Sequence, residues 1–556
     1  MTAALRSPSK LLLQHPLAVL AIFSLCAFLL YGNSLSHAPI FDDTLFLVWH
    51  QHQLPWSFSF SPRVLETATI VGTSEILGST LMWQRLENVL FHIATVMLIF
   101  SFTKTLLAWL TDRERSDRDV VIASFLASLL FLVHPVAAYS VAYLNQRSTE
   151  MATIASLLTL MVFWRGLQLN SQKYFIAMVP LYVVTLLCKE HAVMLPALCL
   201  CLAVLHDGGV RGKRLLQFLP YAIACVVLMY IVVIVKNNRE IIGQSPEHAS
   251  TFLIENYVRL HPGFDPAKVL WYSIQTQGAL FFKYWQLWLL PNPMAMSIDM
   301  RTGFATTQYS LYTAGLAAYV VFGLASTLML TLGKTRTLRF IGFTLLSIWL
   351  LFWTEFVSLR LQEVFVLYRS YLWFVFLVPA VALGLLHLEE RKRYMLWGLL
   401  FVLFTVFAMN RISTMKNEMT VWQDAAFLAK RVKEVRPGIE RIYYNLGTAY
   451  LNYGHNEQAI TALNTALNYV PTAYSRAYAL NNLALAYQRS DHKQEAAQTF
   501  IRMTEMQPDN ERAWRAAADS LDKAGDPTNA KLAWNRACDL GDSYSCDHLG
   551  RAPAKL

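Results

Sequence analysis

Two adjacent aspartates, Asp42 and Asp43, lie in the stretch NSLSHAPIFDDTLFL (33–47), just beyond an apolar run and among aromatic and aliphatic neighbours. A carboxylate can take a proton from an attacking hydroxyl. Asp is also a favoured helix cap, but capping does not account for two acids in an apolar loop. Crowding one carboxylate against another raises one pKa and yields a usable base. Further polar residues recur beside later apolar runs. Arg85, Glu87, Asn88 and His92 stand in QRLENVLFHI, and His134, Arg147 and Glu150 in FLVHPVAAYSVAYLNQRSTEMATI. Lys189, Glu190 and His191 follow in LLCKEHAVMLP, Gln277 and Lys283 in TQGALFFKYWQL, and Glu363, Tyr368 and Arg369 in QEVFVLYRSYLW.

Ionisable groups at membrane depth cost about 2.5–3.5 kcal/mol each on insertion scales and default to functional roles. Cations there can hold a phosphate head group. Each residue also has a plainer reading. Arg147 with Glu150, or Lys189 with Glu190, are candidate self-neutralising pairs, and His134 before Pro135 is a candidate helix-end cap.

The elements that must position these groups are membrane helices. The chain of 556 residues is 55% hydrophobic and 15% charged, which belongs to a polytopic membrane protein rather than a soluble enzyme. The net charge of +10 forms no single patch and no nucleic-acid motif appears, so no nucleic-acid partner is expected. Apolar segments fall near 14–32, 86–111, 119–142, 148–166, 172–188, 191–206, 215–236, 309–332, 338–357, 370–387 and 394–411, which makes eleven expected spans. The first reads as a retained span, because Pro39 after SHA should block signal cleavage.

With the N-terminus in the cytoplasm, inside loops carry Lys104, Arg113, Arg115 and Arg118, then Arg165 and Lys173, then Arg211, Lys213 and Arg214. Lys334, Arg336, Arg339, Arg391, Lys392 and Arg393 continue the series, whereas the outside connections hold only Arg147, Lys189, Arg360 and Arg369. That asymmetry orients the chain. It also makes 269–291 interfacial or re-entrant, since a span there would put the later basic loops outside. The expectation is an all-α chain: a membrane bundle over 1–411 with outer loops 33–85 and 237–308, an entry helix or linker over 412–436, and a soluble domain over 437–556. The soluble domain falls on the outer side, the periplasm of a bacterium whose inner membrane holds the bundle.

Beyond Arg411 a pattern recurs at about 34 residues. Tyr443, Leu446, Gly447, Tyr450, Ala459, Leu463, Ala466 and Pro471 form one unit; Leu480, Leu483, Ala484, Tyr487, Ala496, Phe500 and Pro508 a second; Trp514, Ala517, Ala518, Leu521, Ala530, Trp534 and Ala537 a third. This resembles the tetratricopeptide repeat, with small residues where paired helices touch. The last piece, ACDLGDSYSCDHLG, resembles the cysteine-paired Sel1-like repeats. That resemblance implies a Cys538–Cys546 disulfide and an oxidising compartment, with two buried thiols as the alternative.

FDD, LENVLFH, HPVAAYSVAYLNQRSTE, CKEHAVMLP, TQGALFFKYWQLWLLP, EVFVLYRSYLW and RISTMKNEMTVWQD together resemble the GT-C class of membrane glycosyltransferases. The likeness is greatest to the transmembrane and tetratricopeptide-repeat protein O-mannosyltransferases and their bacterial relatives. It implies Asp42 and Asp43 as catalytic candidates. Arg147, Glu150, Lys189, Glu190, His134, Gln277, Tyr368 and Arg369 become donor phosphate or sugar ligands, with Asn88, His92 and Glu363 as further candidates. The expected reaction is inverting transfer of one sugar, hexose or pentose, from polyprenyl phosphate to a periplasmic hydroxyl, favoured as a protein Ser/Thr held by the repeats. Users of monophosphate lipids generally need no divalent metal, so none is expected to be obligatory. Tyr139 stands where the family has an acid, so mannose is not assigned. The competing expectations are a lipid or surface-polysaccharide acceptor, and a non-enzymatic scaffold for envelope assembly.

Overall fold

The structure, a computed structural model, describes residues 15–43, 60–78, 80–112, 116–235, 250–431, 438–469 and 473–551, with the isolated positions 13 and 436. Among them the regular elements are helices and there is no strand. The expected outer loops are therefore described only in part, and Pro471 lies outside the described residues. The chain divides into two compact units.

The first unit is the apolar bundle, residues 1–248, 265–298 and 303–417. Eight described helices are long and apolar enough to cross a membrane, or nine if the pair Leu367–Phe374 and Leu377–His387, bent by 58°, is one span. Eleven were expected, and two of the shortfalls have local causes. The 119–142 run is broken after Leu132 and resumes only as the short Ala138–Ala142 helix, because a residue before proline is pushed out of the helical region and Pro135 has no N–H to continue the ladder. Gln172–Cys188 is apolar but only 17 residues long, about 26 Å of rise against roughly 30 Å of hydrocarbon. Val269–Leu289 is not among the eight.

Leu81–Thr111 is 31 residues long, about 46 Å, so one end clears the hydrocarbon and carries Gln84, Arg85 and Asn88 into the polar connections. At its other end, connections expected on one side meet in pairs. Asp112 bonds Arg336 at 3.1 Å, Asp119 bonds Arg393 at 3.1 Å, and Arg214 donates to Asn170 at 2.8 Å.

The second unit is 418–556 with Ala249–Phe264 and Asp299–Thr302. Residues 412–414 end the Glu390–Thr414 helix, and Glu418–Ala429, a helix within the expected entry-helix or linker stretch, buries Val421, Trp422, Ala425 and Ala426 in the repeat unit. Part of the 237–308 stretch also joins the repeats: Asp299 pairs with Arg301 at 2.7 Å and Arg441 at 3.7 Å, and Arg436 donates to the Arg301 carbonyl at 2.7 Å.

Three antiparallel helix pairs follow, Ile439–Asn452 with Asn456–Tyr469, Ala473–Arg489 with Lys493–Met506, and Glu511–Lys523 with Pro527–Asp539. Their small residues set the spacing. A Cβ on Gly447 would sit 2.5 Å from Leu463, so only glycine lets those two helices approach. Ala484 with Phe500, and Ala518 with Trp534, fill the next two interiors. Cys538 and Cys546 are joined in a disulfide, Cα atoms 4.7 Å apart, between the last long helix and Ser543–His548.

Candidate active site

Four connections of the bundle enclose a cavity of about 410 Å³, lined by Asp42, Arg63, Asn145, Gln146, Lys189, Glu190, His191, Arg360, Glu363, Tyr368 and Arg369 with Pro62, Val193, Val233, Thr354, Val357 and Ser358.

The first wall separates the two aspartates. Asp42 is exposed in the cavity and accepts from the Tyr143 hydroxyl at 3.2 Å and Asn145 Nδ2 at 3.3 Å. Asp43 is fully buried behind it, accepts from the Ile40 and Asn145 amides at 3.3 Å each, and pairs with Arg85 at 3.6 Å. Arg85 in turn donates to the carbonyls of Ala142 and Ala38, so this ion pair locks the loop that presents Asp42. Burial pushes the Asp43 carboxyl up to about 7, against the pull of Arg85, and repulsion from Asp42 is the smallest contribution. The expected mutual crowding is therefore a minor cause, and burial of one partner is the main one.

The second wall is built by residues 189–191 and the start of Val64–Leu77. Arg63 bonds Glu190 at 3.1 Å, and the His191 ring lies 3.5 Å from Glu190 and 3.7 Å from Glu355. Lys189 turns away from its sequence neighbour: its ammonium donates to Gln146 Oε1 at 3.0 Å and Thr149 Oγ1 at 2.6 Å, both neutral oxygens. Burial is the main cause that pushes Lys189 down to about 7, with Arg63 adding to it.

The third wall is 353–370. Buried Arg369 holds Glu355 at 3.1 Å and Glu363 at 2.9 Å, and Arg360 reaches Glu355 at 3.6 Å. The Val269–Leu289 helix fixes this irregular stretch through its backbone. Gln277 donates to the Val364 carbonyl at 2.8 Å, and the Tyr284 hydroxyl donates to the Val366 carbonyl at 3.0 Å while accepting from the Val366 amide.

Of the expected site residues, Asp42, Lys189, Glu190, Glu363, Tyr368 and Arg369 line the cavity. Asp43, Arg147, Glu150, His134, Gln277, Asn88 and His92 do not. Arg147 is consumed by Glu87 at 2.9 Å, Asn88 at 2.9 Å and the Gln84 carbonyl at 2.8 Å. His134 stacks on Trp288 and bonds its carbonyl, while His92 bonds Tyr371 and the Leu132 carbonyl. Glu150 is buried with neither oxygen hydrogen-bonded. Neither neighbouring pair, Arg147 with Glu150 or Lys189 with Glu190, forms the direct bridge that sequence proximity suggests.

Arg63, Asn145 and Glu355 were missed. Glu355 had a usable signal, an acid inside the apolar run LLFWTEFVSL. Asn145 adjoins Gln146 and Arg147 in the quoted YLNQRSTE stretch, whereas Arg63 had no signal, being a single charge in a long connection.

The repeat unit has a groove of its own, about 330 Å³, lined by Lys430, Tyr443, Leu446, Tyr450, Glu457, Gln458, Thr461, Ala462 and Thr465. Its helices carry a family match. Residues 440–471 match the tetratricopeptide repeat. The match covers the first tetratricopeptide helix pair, and the two pairs after it repeat the same packing. No curated protein matches the chain.

Proposed function

We propose that this protein is an inverting glycosyltransferase of GT-C type that moves one sugar from polyprenyl phosphate to a hydroxyl acceptor at the periplasmic face of a bacterial inner membrane. The observation that carries the reading is one cavity holding an exposed carboxylate, Asp42, together with four cations, Arg63, Lys189, Arg360 and Arg369. The cations would hold the lipid phosphate. The acceptor oxygen attacks the anomeric carbon, the carbon–oxygen bond to phosphate breaks, and its electron pair leaves on the phosphate. The hydroxyl proton passes to Asp42. A lipid phosphate is a weak base and leaves without a general acid, and the four cations meet its charge without an obligatory metal. The volume, near the small end of ligand pockets at roughly 300–1,000 Å³, suits a single sugar with its phosphate. Loop charge supports the orientation, and the tyrosine-lined groove of the repeats supports a polypeptide acceptor.

Intact masses of envelope and pilus proteins, compared between the native host and its deletion strain, test the reading. The expected result is loss of a hexose- or pentose-sized mass from at least one protein. Unchanged protein masses with an altered surface polysaccharide would reassign the acceptor, and no change in either would remove the activity.

Lys189 gives the donor site a pH signature. With its ammonium near neutrality at about 7, an arriving phosphate favours the charged form and binding takes up a proton. Affinity for a glycosyl prenyl phosphate, whose diester does not titrate here, rises as pH falls from 8.5 towards 7 and levels off below. Equilibrium binding measures roughly a tenfold gain across that window, and Lys189→Met binds weakly with no slope.

A further inference from the structure

The cavity's cations differ in how firmly they are engaged. Arg369 is buried between two carboxylates, and such a group adds its charge to the cavity without giving up its partners. Arg63 is different. Its side chain is 49% exposed and its ion pair is with one carboxylate, Glu190, 127 residues away in sequence.

Its backbone is also unusual. The non-glycine residues described with positive φ are Phe41, Arg63, Asp112, Asn170 and Asp491. Asp and Asn enter the left-handed region readily, whereas a bulky or long side chain does so only where the surroundings enforce it. The two that need enforcement are Phe41, which precedes Asp42, and Arg63, at φ 68° and ψ 2° immediately before the Val64–Leu77 helix. Strain of this kind gathers at ligand sites, and here both instances aim a cavity residue.

Among the described residues the ion-pair partners of Glu190 are Arg63 and the His191 ring. We infer that the Arg63–Glu190 bridge is an exchangeable latch: the donor's phosphate takes Arg63, and the released Glu190 turns to accept hydrogen bonds from the sugar hydroxyls. The inference rests on reading the cavity as a lipid-phosphate site. Exposed bridges are weak, and a phosphate offers the guanidinium a two-pronged contact of at least equal strength, so the exchange is downhill once donor arrives. It also keeps an empty cavity from presenting an unpaired carboxylate to the phosphate.

The test is binding of a short-chain prenyl phosphate, and transfer from its glycoside, by the full-length protein in detergent. Arg63→Gln weakens prenyl-phosphate binding at least tenfold, and Arg63→Lys weakens it less. Glu190→Gln, which removes the internal competitor, tightens binding about threefold or more while transfer falls at least tenfold; Glu190→Asp stays near wild type in binding. Opposite signs for the two partners distinguish a latch from a brace. Equal weakening by Arg63→Gln and Glu190→Gln overturns the latch while wild-type binding leaves the lipid-phosphate reading standing. Failure of the wild type to bind prenyl phosphate overturns both.

Discussion

If the proposed function holds, membranes carrying Asp42→Asn are expected to transfer sugar at least about a hundredfold more slowly than wild type, the range expected for loss of a general base, with unchanged donor binding and unchanged yield of folded protein. Yield is preserved because Asp42 is exposed and its bonds to Tyr143 and Asn145 are long, at 3.2 and 3.3 Å. Asp43 behaves in the opposite way. Asp43→Ala leaves Arg85, 2% exposed, without its counter-charge and strands the amides of Ile40 and Asn145. Removing one partner of a buried ion pair costs about 3–5 kcal/mol, so the loss appears as unfolded or degraded protein. Asp43→Asn keeps a carbonyl oxygen for one of those two amides, which bind different carboxylate oxygens, and on the proposed function it retains transfer in the fraction that folds. Transfer assays normalised to folded protein decide the matter. Full activity in Asp42→Asn, with none in folded Asp43→Asn, would assign the base to the other residue.

The second large effect concerns the wall opposite in function, where Arg369 neutralises fully buried Glu355 and shares Glu363. Arg369→Leu leaves Glu355 with Arg360 at 3.6 Å as its remaining arginine. The variant is destabilised by about 3–5 kcal/mol, enough to remove most of the monodisperse protein from a detergent extract. Glu355→Gln placed on top deletes the stranded charge and recovers part of that loss, so the two changes are strongly non-additive. Melting temperatures of the two single variants and the double variant measure the coupling. Simple additivity would mean that Arg369 and Glu355 do not act as a pair. On the proposed function the recovered double variant is still expected to lack transfer, because one of the cavity's cations has gone with Arg369.

How much of this was legible in the chain follows from the range of each signal. Apolar run length is local, so the bundle and the cluster-bearing connections could be read directly, though Pro135 broke one expected span. The repeat period is local too, and Gly447, Ala484 and Ala518 fell where helix pairs touch. The sequence by itself thus determined a helical membrane chain with a tetratricopeptide tail, and which connections are polar. Only the tertiary structure decided which polar residues meet. Asp42 and Asp43 are neighbours with opposite fates because the chain turns between them, and Arg147 is spent on Glu87 while Arg63 crosses 127 residues to Glu190. A side chain's burial pattern is written in its own helix, but its charge partner is fixed by how distant segments pack, and no periodicity records that.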